Sequence, residues 1–175
     1  IEEAEFLYEY NNEMTDIILA YDGTLDRYDK GNIVAFFGDP VHHEDHAERA
    51  CAAALDMQAR LSAHWGEDTG LRLRCGLSSG QVVVGDMGSR YRADYTVAGD
   101  AVNLAARLVQ VERRLGAAIT ISQDTCAHVE EVFEVQELDR ITFTGCGQPV
   151  AVYEVLCRRG ELDEEKAQLL RHYQQ

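Results

Sequence analysis

The sequence predicts an α+β domain in which helices cover one face of a mostly antiparallel sheet. Segments with apolar residues at helical spacing alternate with short strand-forming segments, and turn residues separate neighbouring strand segments. The 175 residues are 46% hydrophobic, which is enough to bury one core. We therefore expect one domain over residues 1–158 and a charged helical tail over residues 159–175.

The N-terminal third is expected to hold two helices with a hairpin between them. Apolar residues recur at helical spacing over residues 4–21 and again over residues 45–64. TLDRY and NIVAFFG have the composition of strands, and DKG at residues 29–31 is a tight polar link between them. A βαββαβ order needs a strand before its first helix. Because this chain enters its first helix at about residue 4, we expect its sheet to lack the first strand.

The rest of the chain continues the alternation of helices and strands. LRLRCGLSSG and QVVVG are expected to pair as a second hairpin turned by Ser79 and Gly80, followed by the exposed loop DMGSRYRAD. A helix is expected from Asp100, which follows Gly99 and is suited to cap its N-terminus. After it come a strand at ITISQ, a short helix over residues 122–130 and strands at FEVQEL, RITFTG and VAVYEVL.

Charge and cysteine content argue against several classes of partner. The formal net charge of −15 opposes binding to nucleic acid or anionic lipid, because phosphate groups would be repelled. No apolar run reaches the roughly 18 residues of a membrane span, so direct membrane insertion is not expected. The five cysteines are an odd number without CxxC spacing, which favours reduced thiols in the cytoplasm. The chain begins at Ile1, and we expect it to be a soluble piece of a longer protein.

Two local features stand out in the first half of the chain. HHEDH at residues 42–46 contains three histidines and two carboxylates. Its position at the start of a helix favours a solvated helix end, with Asp45 and Glu48 near the positive end of the dipole, over a metal site. Lysine is also rare, because 14 of the 16 cations are arginine. Lys30 is the one lysine inside the predicted globular part.

The helix that starts at Asp100 carries a polar pair within an otherwise apolar sequence. Asn103 and Arg107 lie four residues apart, so their side chains project in nearly the same direction. Such a pair is compatible with a solvated helix edge, with a buried pair bonded to nearby backbone, or with a catalytic site. The sequence of the helix by itself leaves these alternatives open.

Five stretches of the chain together resemble one protein family. They are EMTDIILAYDGTLDRY, IVAFFGDP, HAERACAAALDMQ, RCGLSSGQVVVGDMGSRYRADYTVAGDAVNLAARL and PVAVYEV. The chain resembles the catalytic domain of class III nucleotidyl cyclases, the adenylyl and guanylyl cyclases, over nearly its whole length. Within that family it is most similar to bacterial adenylate cyclases whose catalytic domain follows a sensor module. The resemblance implies a ferredoxin-like βαββαβ-type sheet, conversion of ATP to cAMP and pyrophosphate in signal transduction, and Mg²⁺ or Mn²⁺ as cofactor.

The resemblance gives the polar pair on the helix a role in catalysis. In such cyclases the ribose 3′-hydroxyl attacks the α-phosphate, and the equatorial oxygens gather negative charge as pyrophosphate departs. Asn103 would hold the ribose in line for this attack. Arg107 would stabilise the charge at phosphorus, for which a planar guanidinium is well suited.

The resemblance also implies two residues that contact the base. Thr96 matches a position at which the family has threonine or aspartate, and a threonine favours adenine over guanine. Arg27 matches a position at which the family has a lysine, so it keeps the charge but changes the geometry. Two interpretations of Arg27 remain open: a contact to the base, or a surface ion pair with Asp26 or Asp29.

The chain departs from the family pattern where metal ligands are expected. Gly31 occupies the usual position of one metal aspartate, the other aspartate would lie on the missing first strand, and Thr144 replaces the lysine that binds the triphosphate. Asp29 could reach a metal if the hairpin register shifted by two residues. Alternatively, DKG resembles the half of soluble adenylyl cyclases that lacks metal ligands, in which case Lys30 contacts adenine.

Two hypotheses about function follow. The first is an active adenylate cyclase domain, cytoplasmic or part of a membrane-anchored sensor protein, that binds ATP and assembles as a head-to-tail homodimer. The second is a degenerate cyclase-homology module that acts as the regulatory or partner half of a pseudo-symmetric dimer. In either case a sensor module is expected upstream.

Overall fold

The computed structural model describes residues 2–29, 31–66, 69–115, 117–145, 147–164 and 167, with the backbone alone over 112–115. In chain order the elements are α1 (Glu2–Ala20), β1 (Thr24–Asp29), β2 (Asn32–Phe36), α2 (His46–Trp65), β3 (Cys75–Leu77), β4 (Val83–Asp86), β5 (Tyr95–Ala98), α3 (Asp100–Leu115), β6 (Ile119–Ser122), α4 (Gln123–Val129), β7 (Phe133–Ile141) and β8 (Val150–Arg158). The predicted α+β class is confirmed. Most of the tail over residues 159–175 lies outside the described residues. No described helix is long and apolar enough to cross a lipid bilayer.

The strands form one sheet and two hairpins. The sheet has the order β3-β6-β8-β7, in which β3 and β6 are parallel and the other neighbours are antiparallel. β1 pairs with β2 as predicted, and β4 pairs with β5. The mostly antiparallel character of the sheet therefore agrees with the sequence-based expectation.

The predicted second hairpin is wrong. β3 pairs with β6 through Cys75 and Ile119, whereas Val83 of β4 pairs with Ala98 of β5. Ser79 and Gly80 thus lie in a connection between different sheets and do not turn a hairpin. The reason is that α3 serves as the crossover helix, which a parallel strand pair requires, so that β3 and β6 become neighbours.

The C-terminal strands also differ from the prediction. FEVQEL and the start of RITFTG belong to one continuous strand, β7. Its pairing with β8 shifts register between Glu134 and Val135 and again between Glu137 and Asp139. An extra residue in a strand is accommodated as a bulge, so the polar residues between the two apolar segments do not interrupt the strand.

Helices lie on both faces of the four-stranded sheet and not on one face as expected. Ala54 of α2 and Val129 of α4 pack in one cluster with Ile121 on one face. Leu108 of α3 packs with Val152 on the other face. Helices can pack on both faces of the sheet because neighbouring residues of a strand point to opposite faces.

The hairpin β1–β2 lies against the two long helices. Met14 of α1 and Met57 of α2 form a second cluster, and Ile33 and Ala35 of β2 pack against it. One face of the hairpin is therefore buried under α1, and the other face is directed away from that helix.

A cleft of about 500 Å³ separates β2 from β3. Consecutive residues line it on both sides, 31–37 around β2 and 73–80 around β3, while α2 and α3 close it above and below. Consecutive lining residues mean that each strand presents an edge to the cleft, because alternate residues would line it if a face did. Within the described part of the chain, β2 and β3 each pair on one side only. The cleft is wide enough, and its two edges are so placed, that one further extended segment could lie between β2 and β3.

Candidate active site

Helix α3 presents Asn103 and Arg107 toward solvent. Leu104, Leu108 and Val111 of the same helix belong to the core cluster on the sheet. Asn103 and Arg107 lie on the side of α3 that does not pack in this cluster. Asn103 is exposed and Arg107 is half-buried. Among the described residues, neither side chain has a hydrogen-bond or ion-pair partner. The pair is thus presented together and is available to a ligand.

Arg27 and Asp29 lie on the face of the hairpin that is directed away from α1. Arg27 pairs with Val34, and Asp29 pairs with Asn32. Both side chains are exposed, and both residues line the cleft between β2 and β3. Arg27 Nη1 donates a hydrogen bond to Asp26 Oδ2 at 2.5 Å. The surface ion pair considered for Arg27 is therefore present, and it involves Asp26 and not Asp29.

Thr96 lies on β5, in the hairpin that β5 forms with β4. It pairs with Gly85 and is half-buried, while its neighbour Val97 is buried. The Tyr95 hydroxyl donates a hydrogen bond to Asp39 Oδ2 at 2.5 Å. This hydrogen bond to the carboxylate raises the pKa of Tyr95. The bond ties β5 to the loop that follows β2, and so fixes Thr96 relative to the hairpin that carries Arg27.

The turn between β1 and β2 does not favour the expected metal aspartate. Gly31 has φ +86°, a left-handed conformation that costs other residues roughly 1–2 kcal/mol. The prediction that Lys30 contacts adenine falls on a residue outside the described part of the chain. Thr144, after β7, is exposed and carries no charge.

The described residues do not fit a two-metal centre. They contain no group of three or more histidine, cysteine or carboxylate side chains arranged to hold a metal ion. Asp29 pairs with Asn32 across a two-residue turn, so the two-residue register shift that would redirect its carboxylate is not present. The register shift that does occur lies between Leu25 and Arg27. Two-metal catalysis needs carboxylates that hold both ions, and this part of the chain does not supply them.

The histidines and cysteines that the structure describes elsewhere do not form a second metal site. His46 begins α2, and its ring lies 5.7 Å from that of His128 on α4. Asp45 precedes the helix and pairs with Arg49 at 2.9 Å, in agreement with a solvated helix start. Burial raises the pKa of the Cys51 thiol to about 12, so this thiol stays neutral at physiological pH.

Comparison with known proteins identifies the family to which this chain belongs. The model of the adenylate and guanylate cyclase catalytic domain matches residues 31–156, and the chain belongs to this family. Adenylate cyclase 1 of Rhizobium meliloti (strain 1021) is 31% identical over 155 residues, which are 86% of this chain. The chain spans only 23% of the length of that relative.

Solved structures of both nucleotide specificities are similar to this chain. The adenylyl cyclase CyaB from P. aeruginosa matches with a TM-score of 0.80 and 29% identity, over 91% of this chain and 85% of that one. The guanylyl cyclase Cya2 matches with a TM-score of 0.76 and 29% identity, over 91% of this chain and 83% of that one. The family is therefore established, and the choice between ATP and GTP depends on residues of the site.

The sequence pattern places Asn103 and Arg107 on one side of α3, but it does not indicate the contacts of Asp26, Asp39 and Tyr95. Helical spacing alone brings Asn103 and Arg107 together. The bond from Tyr95 to Asp39 joins residues 56 positions apart, and no local pattern signals it. From the sequence, Asp26 is expected only as a surface partner of Arg27, because the bulge that buries its side chain depends on the pairing of two strands.

Proposed function

We propose that this chain is the catalytic domain of an adenylate cyclase, which converts ATP to cyclic AMP and pyrophosphate. The observation that carries the proposal is the pair of Asn103, which is exposed, and Arg107, which is half-buried. The chain has 31 acidic residues, yet Arg107 has no described intramolecular partner. An unpaired guanidinium beside an amide suits a ligand that carries both phosphate and hydroxyl groups. Ala106 and Gln110, on the same side of α3, line the cleft.

The reaction makes one bond and breaks one bond at phosphorus. The ribose 3′-oxygen bonds to the α-phosphorus, the 3′-hydroxyl proton is released, and the bond from the α-phosphorus to the pyrophosphate oxygen breaks. Asn103 has an amide that both donates and accepts hydrogen bonds, so it can hold the ribose in line for attack. Arg107 donates to the phosphate oxygens on which charge develops, and this stabilises the transition state more than the bound substrate.

Base selection is assigned to Thr96 and Arg27. The Thr96 hydroxyl can accept a hydrogen bond from the exocyclic amino group of adenine. Arg27 offers donors to the ring nitrogens of the base. The bond from Tyr95 to Asp39 supports this assignment, because it holds the strand of Thr96 beside the hairpin of Arg27.

The carboxylates that bind Mg²⁺ or Mn²⁺ in this proposal come from outside the described residues. An extended segment that lies outside residues 1–175 fills the cleft and pairs with the free edges of β2 and β3. The cleft supports this assignment, because within the described residues the edges of β2 and β3 that border it are unpaired and can both bond to a single strand. A second copy of the domain, placed head to tail, completes the site.

A second candidate function is supported by the turn at Gly31. A partner half without metal ligands needs no aspartate in this turn, and a left-handed glycine is compatible with such a half. In that assembly a different cyclase domain would supply both carboxylates, and this chain would supply Asn103 and Arg107.

Product analysis with a completed chain tests the proposed reaction. The completed chain carries an added first strand with a carboxylate and the substitution Gly31→Asp, which places the second carboxylate in the turn at a cost of roughly 1–2 kcal/mol for the left-handed φ. We expect cyclic AMP from ATP, and little cyclic GMP from GTP at the same concentration. Predominant formation of cyclic GMP would contradict the assignment of adenine to Thr96. A folded completed chain that forms neither product would contradict the proposed function.

A further inference from the structure

A β-bulge in strand β1 decides where Arg27 points. Leu25 pairs with Ala35, but the next pair joins Arg27 to Val34, so Asp26 is an extra residue. In a regular hairpin Arg27 would oppose Ile33, which packs in the cluster under α1. The bulge therefore moves Arg27 from the buried face of the hairpin to the face that borders the cleft.

The bulge also brings two adjacent side chains together. Neighbouring residues of a strand normally point to opposite faces and cannot form an ion pair. Here the Asp26 side chain is 1% exposed and bonds to Arg27, whose side chain is 53% exposed. A buried carboxylate needs a charged or hydrogen-bonding partner, and Arg27 provides it. The Asp26 carboxylate thus bonds one nitrogen of the Arg27 guanidinium, while much of the Arg27 side chain remains exposed to solvent.

We propose that Asp26 is a positioning residue that orients Arg27 toward the purine base of the bound nucleotide, an inference that rests on the proposed function. Asp26 accepts a hydrogen bond from Nη1, and among the described residues Nε and Nη2 have no partner, so these donors of the planar guanidinium are available to a ligand. Acceptors on the base, such as ring nitrogens, are the groups that these donors recognise. A lysine at this position would offer a point charge on a flexible side chain, without the planar set of donors of a guanidinium.

Calorimetric titration with ATP, without divalent cations, tests the role of Asp26. The four proteins are the unmodified chain, Asp26→Asn, Arg27→Gln and the double variant. We expect Asp26→Asn to weaken ATP binding about tenfold, as for other directly coupled pairs. In the Arg27→Gln background, Asp26→Asn should cause no further loss, because there is no guanidinium left to orient.

Two further variants separate positioning from a general effect on the fold. Glu13→Gln is the matched control, because Glu13 forms an exposed ion pair with Arg60, and neither residue lines the cleft. It should leave ATP binding unchanged. Arg27→Lys keeps the charge but removes the planar set of donors, so we expect it to weaken ATP binding. This variant provides the test if Asp26→Asn does not fold. Thermal melting of each variant reports its folding.

The outcomes distinguish this inference from the proposed function. Unchanged binding by folded Asp26→Asn would overturn the positioning role, and so would an equal loss in both backgrounds. If Asp26→Asn does not fold, full affinity in Arg27→Lys would overturn it. A folded, unmodified chain that binds neither ATP nor GTP would overturn the proposed function together with this inference.

Discussion

Arg107 is the residue on which the proposed chemistry depends most. A contact made chiefly in the transition state affects turnover more than substrate binding. We therefore expect Arg107→Lys, in the assembly that has activity, to lower kcat by about 10²–10³ with little change in KM. Arg60→Lys is the control, because this arginine lies on α2 and pairs with Glu13. Unchanged kcat in Arg107→Lys would contradict the role given to the guanidinium.

The site could be predicted only in part from single residues. Asn103 and Arg107 were identified because helix geometry fixes their relation, whatever the rest of the fold does. Arg27 was ambiguous, since its direction depends on a bulge that forms only when β1 pairs with β2. Lys30 and Gly31 could be aligned with the family, but the left-handed φ of Gly31 needed the structure.

His46 gives the fold a dependence on pH. Burial lowers its pKa below the ordinary 6.5, and His128 and His42 add to this effect, while Asp45 opposes it. The unfolded chain therefore binds a proton more readily than the folded one, so stability is lost as pH falls through 6.5 toward the folded pKa. We expect His46→Gln to reduce the fall in Tm between about pH 7.5 and 5.5.

His64→Gln is the comparison for His46→Gln, because His64 lies at the opposite end of the same helix. Its Tm should fall with pH as steeply as that of the unmodified chain. An unchanged slope in His46→Gln would show that this histidine does not contribute to acid destabilisation.

At the scale of elements, the contact of α3 with β3 depends on Gly76. A Cβ added at Gly76 would lie 2.3 Å from the Ala105 carbonyl oxygen and 2.8 Å from the Val109 nitrogen. Both atoms are backbone, so α3 would have to move. We expect Gly76→Ala to lower the free energy of unfolding by about 1–3 kcal/mol in urea denaturation.

Gly85→Ala is the matched control for this substitution. Gly85 also lies in a strand, but a Cβ added there meets nothing within 4 Å. Its urea midpoint should stay close to that of the unmodified chain. A similar midpoint for Gly76→Ala would contradict the close approach of α3 to β3.

The elements were predicted more reliably than their pairing. Helical periodicity located α1 and α2, and turn residues located the hairpin β1–β2. The pairing of β3 with β6 joins Cys75 to Ile119, residues that are 44 positions apart. Such contacts depend on packing and not on local sequence. For this reason the local sequence around Ser79 and Gly80 predicts a hairpin that the fold does not contain.

At the scale of the whole molecule, a cleft separates the hairpin β1–β2 from the four-stranded sheet. β2 and β3 face each other across the cleft, and each has a free edge in the described part of the chain. The order of elements along the sequence does not reveal this cleft, because its position depends on which strands pair. The cleft lies beside Arg27 and Asp29, so a strand placed there would bring its own side chains to the candidate site.

We propose that Asn103 and Arg107 act in catalysis, and that the described residues do not supply the carboxylates for the metal ions. The most direct test is cyclic AMP formation from ATP with Mg²⁺ or Mn²⁺, by the unmodified chain and by the completed chain described above. We expect little or no cyclic AMP from the unmodified chain, because a symmetric dimer only duplicates the missing ligands. Activity should appear in the completed chain. Substantial activity of the unmodified chain, abolished by Asp29→Asn, would contradict the claim and would identify Asp29 as a metal ligand.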